Sequence, residues 1–83
     1  MNKLKDLISK IPIDQRITVK TKHGQVTFVG RHRPDLETTN WHYFEKAGGG
    51  CIHFRKQEMV WVDGESIYST IMNRKIKELL NEN

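Results

Sequence analysis

The sequence predicts an α+β domain: a small curled antiparallel sheet or barrel of about five strands, flanked by an N-terminal and a C-terminal helix. Three observations predict it. Apolar residues recur at helical spacing at both ends of the chain, the period falls to two between them, and Gly- or Pro-containing segments separate the alternating runs.

Leu4, Leu7, Ile8 and Ile11 share one helical face and Pro12 ends the pattern, so residues 2–10 read as a short amphipathic helix. Ile17, Val19 and Thr21 then alternate with Arg16, Thr18, Lys20 and Lys22, which predicts a strand over 16–22. His23-Gly24 supplies a two-residue turn, and Val26 and Phe28 mark the return strand over 25–31. With residues 22 and 25 flanking the turn, Val19 faces Phe28, Thr21 faces Val26, and Arg16 faces Arg31. Two arginines side by side require an anion or a carboxylate to relieve them.

Arg33-Pro34-Asp35 breaks the sheet, and residues 33–40 read as a polar loop. A second hairpin pairs 41–46 with 51–56 across Ala47-Gly48-Gly49-Gly50. Pairing 46 with 51 puts Trp41, Tyr43, Ile52 and Phe54 on one face. It puts His42, Phe44, Lys46, Cys51, His53 and Arg55 on the other. Met59–Asp63 is the fifth strand, with Trp61 matching the aromatic face. Ser66 is the N-cap of a helix over 66–81. Its stripe of Ile67, Tyr68, Ile71, Met72, Ile76, Leu79 and Leu80 either caps the sheet or forms the seam of a homodimer.

The chain of 83 residues is one domain, with 14 basic side chains against 10 acidic ones and a net charge of +4. It has no run of the about 18 apolar residues that a transmembrane helix requires. Lys3, Lys5, Asp6 and Lys10 interrupt Met1–Ile11, which therefore does not read as a signal peptide. Cys51 stands alone, which excludes a disulfide framework and suits a reducing, cytoplasmic setting.

The charge is uneven. Residues 1–35 hold eight Lys/Arg against three Asp, and residues 36–83 hold six against seven acidic side chains. No acidic residue lies between Asp14 and Asp35, a segment that carries Arg16, Lys20, Lys22, Arg31 and Arg33. Such asymmetry is the sequence footprint of a surface for an anionic partner, and nucleic acid is the partner expected first. Arg16, Lys20, Lys22, Arg31 and Arg33 are the expected phosphate contacts. His42, Phe44, His53 and Arg55 are expected to contact bases or further phosphates, with Phe44 as a stacking platform.

Other chemistries are less well marked. His42, Cys51 and His53 share a face within reach of His32, but a lone Cys-x-His without a repeated spacing assigns no metal. No cofactor motif is present, and Gly48-Gly49-Gly50 joins two strands instead of leading into a helix, so it reads as a hairpin turn. The expected role is a small non-enzymatic regulatory or accessory module. An alternative is a phage or mobile-element accessory protein that sequesters a nucleotide-like ligand or inhibits a host protein, suggested by short length and Lys/Ile/Asn-rich composition. A third is a small ribonuclease, with His42 or His53 carrying the proton, Arg55 on the phosphate, and Glu45 on the face opposite His53.

The first helix, followed by Ile17-Thr18-Val19-Lys20-Thr21-Lys22-His23-Gly24 and then Gly30, resembles the opening of Sm/Hfq-type RNA-binding barrels. The helix–sheet–helix order is similar to that of double-stranded-RNA-binding domains. Both are resemblances of architecture and assign no role to any residue.

Overall fold

The computed structural model describes residues 2–81. In chain order these form α1 (Lys3–Lys10), β1 (Gln15–Thr21), β2 (Gly24–His32), a 3-10 turn (Pro34–Leu36), β3 (Trp41–Lys46), β4 (Cys51–Arg55), a second 3-10 turn (Lys56–Glu58), β5 (Met59–Asp63) and α2 (Ile67–Leu80). The strands make one antiparallel sheet in the order β4-β3-β2-β1-β5. The α+β class, five strands and two terminal helices stand as the periodicity predicts.

That order has a geometric consequence. β4 and β5 lie at opposite edges of the sheet, yet only Lys56–Glu58 separates them in the chain. The sheet must therefore roll until its edges approach. Lys56 N donates to Asn40 O at 2.9 Å and Lys22 N donates to Glu58 O at 2.9 Å, so the connection is pinned just ahead of β3 on one side and just past β1 on the other. Inside the roll, Ile17, Val19, Phe44 and Phe54 pack with Phe28, Ile52 and Met59. A second cluster, Ile11, Met72 and Ile76 with Leu4, Leu7 and Ile8, joins the two helices.

Local sequence explains the helix ends. Asn2 Oδ1 accepts from Leu4 N and Lys5 N and caps α1. Ser66 Oγ accepts from Ser69 N at 3.0 Å and caps α2, as expected. Gln15, in the inward row of β1, fixes that second cap from outside the helix: its Oε1 accepts from Ser66 N at 2.6 Å and its Nε2 donates to Pro12 O at 2.7 Å.

Two registers differ from the expected ones. In the first hairpin, Thr21 pairs with Gly24, so the turn is Lys22-His23 and Gly24, with φ of +142°, is the residue just after it. The Thr21 hydroxyl tightens this turn, accepting from His23 N and donating to Gly24 O, both at 3.1 Å. The shift is by two residues and leaves Ile17, Val19 and Phe28 facing inward. Arg16, however, pairs with Val29, and Arg31 pairs with Glu45 of β3. The arginine pair does not form.

In the second hairpin Glu45, not Lys46, pairs with Cys51. Lys46 begins the turn: its N–H is donated to Gly50 O at 3.0 Å, and its carbonyl accepts from Gly49 N at the same distance. A one-residue slip exchanges the faces of one strand relative to the other. Phe44, Ile52, Phe54 and His42 share the inner side, whereas Trp41, Tyr43, Glu45, Cys51, His53 and Arg55 share the outer side. Three rings gather inside in this register, with Phe44 5.4 Å from Phe28 and 5.8 Å from Phe54 between centroids. Phe44 is 2% exposed and offers no stacking face, and Glu45 lies on the same side as His53.

The stripe on α2 is also divided. Ser69, Met72, Asn73 and Ile76 face inward, while Ile67 is 83% exposed and Tyr68 and Ile71 are exposed as well. No helix among the described residues is long and apolar enough to cross a membrane.

Candidate nucleic-acid interface and an inner cavity

The outer side of the sheet carries rings and cations on β3–β4 and again on β1–β5, with β2 between the two groups. On β3 and β4, the Trp41 and His53 rings meet edge to face at 4.8 Å, and Tyr43 lies 5.4 Å from His53. The Arg55 guanidinium sits 5.0 Å from the Trp41 ring centroid, within cation–π range. On β1, alternation sends Arg16 and Lys20 outward, both exposed, and Lys20 stands opposite Trp61 of β5. Trp61 is 41% exposed. Lys22 is exposed in the adjoining turn.

The expected phosphate contacts thus separate into two groups. Among the described residues Arg16, Lys20 and Lys22 form no ion pair. Arg31 and Arg33 are engaged within the fold. Arg31 Nε donates to Glu45 Oε1 at 2.8 Å, while Arg31 Nη1 donates to Ile8 O at 2.8 Å and Ile11 O at 3.0 Å. It thereby satisfies carbonyls at the end of α1 and ties that helix to the sheet. Arg33 forks onto both oxygens of Asp35, at 2.9 and 2.8 Å, and reaches Glu45 Oε1 at 3.0 Å. Burial alone would raise the Asp35 and Glu45 carboxyls; the arginines outweigh it and hold both below their ordinary range.

The expected base contacts separate too. His53 and Arg55 are on the outer side, and His42 and Phe44 are on the inner side. Trp41 and Tyr43 join His53 and Arg55 in their place. Cys51 is exposed near the hairpin turn on the outer side, so His42, Cys51 and His53 do not converge.

His42 belongs to a different cluster, at the mouth of the roll. A cavity of about 490 Å³ opens there between the sheet and α2, lined among others by His32, His42, Glu65, Asn73, Arg74 and Lys77. His42 Nδ1 lies 2.7 Å from Glu37 Oε1. Lys56 Nζ is 3.0 Å and Lys77 Nζ 3.7 Å from the same carboxylate. The His32 and His42 rings are 5.7 Å apart. His32 is 8% exposed and Asn73 6%, and both leave a buried polar atom without a partner, Nε2 of His32 and Oδ1 of Asn73. Such orphans are uncommon in native folds.

Burial lowers the His32 imidazole to about 4; Glu37 and Asp35 oppose the shift, and His42 and Lys77 add to it. The 3.9 Å contact from His32 Nδ1 to Glu65 is therefore not an ion pair at neutral pH. Burial also lowers His42, reinforced by Lys56 and Lys77 against Glu37. Glu37 is raised by burial but lowered more by Lys56, Lys77 and His42, so it stays ionised. Burial raises Glu65, with Lys77 and Asn73 only partly offsetting it.

Between pH 6.5 and about 4 the unfolded chain binds a proton on His32 that the folded chain does not. Stability is therefore expected to fall over that window on acidification, by on the order of 3 kcal/mol from His32. His42 adds in the same direction, and Asp35, Glu37 and Glu45 lose their contribution as pH falls further through the carboxylate range. Glu65, raised in the fold, works the other way. Urea denaturation across pH measures this, and His32→Gln is expected to flatten the upper part of the slope.

Glu37, Glu65, Asn73 and Lys77 have no joint signature in the sequence. They gather only because α2 crosses the open end of the sheet. No family model matches the chain, and no curated protein or solved structure matches it.

Proposed function

We propose that this protein is a binding module for nucleic acid and that it holds single strands on the outer side of its sheet. The observation that carries this reading is the interleaving of rings and cations there: Trp41, Tyr43, His53 and Arg55 on one half, and Lys20 beside Trp61 on the other. Unpaired bases stack on exposed rings whatever their sequence, at about 1–3 kcal/mol per base. Arg16, Lys20 and Lys22, which form no ion pair among the described residues, bind the phosphates by releasing counterions, whereas Arg55 is shared with Glu58, 3.4 Å away. Arg31 and Arg33, already satisfied by carboxylates and carbonyls, contribute to the fold instead of the interface.

Fluorescence anisotropy of a labelled single strand titrated with salt tests this. Affinity is expected to fall linearly on logarithmic axes, and Arg16→Ser or Lys20→Ser each to make the slope shallower by about 0.7. Trp41→Ala is expected to weaken binding by about 1–3 kcal/mol at every salt concentration without changing the slope. Unchanged slopes in both cation variants contradict the proposal.

A further inference from the structure

We propose that His32, Glu37 and His42 form a binding site for a divalent transition-metal ion of the zinc class. The inference concerns the inner cavity and does not depend on the outer surface. Three elements deliver the donors: His32 ends β2, Glu37 follows the first 3-10 turn, and His42 lies in β3. One ligand atom from each lies within 4.8 Å of the others. Two imidazoles and a carboxylate form a donor set that zinc and its neighbours accept, at about 2.0–2.2 Å.

The site already has part of the geometry. His42 Nδ1 and Glu37 Oε1, 2.7 Å apart, share a proton. An ion between them takes that proton's place, and the His42 ring then carries its N–H on Nε2. His32 supplies the third donor. Its Nε2 has no partner although the residue is buried, while its Nδ1 faces Glu65 Oε1 at 3.9 Å. A ligating histidine that turns its other nitrogen toward a carboxylate is the usual second-layer arrangement at metal sites. The cavity lined by His32, His42 and Glu65 leaves room for a water to complete the coordination.

Lys56 and Lys77 oppose the ion, because they now neutralise Glu37. Their side chains are 34% and 51% exposed, so both ammonium groups can turn into solvent when the ion arrives.

Calorimetric titration of the full chain with zinc chloride, and the visible spectrum with cobalt(II), test the site. A single ion per chain is expected, with cobalt d–d bands. His42→Gln and Glu37→Gln are each expected to weaken binding at least about tenfold. Cys51→Ser is expected to leave it unchanged. Glu37 lies outside the helices and strands, so Glu37→Gln keeps the test decisive if His42→Gln does not fold, with circular dichroism reporting folding. Absence of saturable heat and of cobalt bands overturns the proposal. So does full-strength binding in a folded Glu37→Gln variant, or loss of binding in Cys51→Ser.

Discussion

Phe44→Ala is expected to destabilise the protein by about 3–5 kcal/mol, the range for removing a buried aromatic side chain. Phe44 is the residue on which the two hairpin registers disagree. In the observed register it packs among Phe28, Phe54 and His32, with ring centroids 5.4, 5.8 and 5.1 Å away. Truncation removes these contacts and opens a void next to the existing cavity. Denaturant titration reads the loss directly. A change under about 1 kcal/mol accompanied by weakened nucleic-acid binding would instead describe an exposed stacking ring. Trp41→Ala is the converse: its main cost is in binding, because Trp41 lies on the outer side with Arg55 over its ring.

Gly30→Ala is expected to cost more than about 4 kcal/mol and to leave little folded protein. A Cβ at Gly30 would lie 2.0 Å from Glu45 O and 3.1 Å from Lys46 Cα, and both are backbone atoms that no rotamer change can move. Relief requires β2 and β3 to separate where Gly30 pairs with Lys46, next to the Arg31–Glu45 pair that carries α1. The defect therefore spreads from the sheet to the N-terminal helix. Gly48→Ala is the control, since nothing lies within 4 Å of the added methyl group. Thermal unfolding separates the two, and a Gly30→Ala protein as stable as the parent would contradict the β2–β3 pairing.

These two residues show what the sequence discloses and what it withholds. Strand and helix limits follow from periodicity, because an inward row such as Ile17 and Val19 must alternate with an outward row. Ser66 is legible as a cap because its chemistry is local. Register is less so. The first hairpin is decided by the Thr21 hydroxyl closing its turn, and the second by Lys46 entering the loop, which sends Phe44 inward and Tyr43 outward. Each is a contest between turns of similar cost that tertiary packing settles. Charge counted along the chain has the same limit. Arg31 and Arg33 belong to the basic segment by count, but Glu45, a dozen residues on, lies between them only after β2 pairs with β3. The inner cluster is the least legible part: Asn73 and Lys77 are one helical turn apart on α2, but nothing in the spacing ties them to Glu37 or Glu65. Only the roll of the sheet and the course of α2 bring them together.

Salt titration of a labelled single strand against the intact protein tests whether the outer side of the sheet binds single-stranded nucleic acid. Measurable binding is expected at low ionic strength, with a linear loss of logarithmic affinity as salt is added and a slope that becomes shallower when Arg16 or Lys20 is neutralised. No measurable affinity for any single strand at low ionic strength would contradict it.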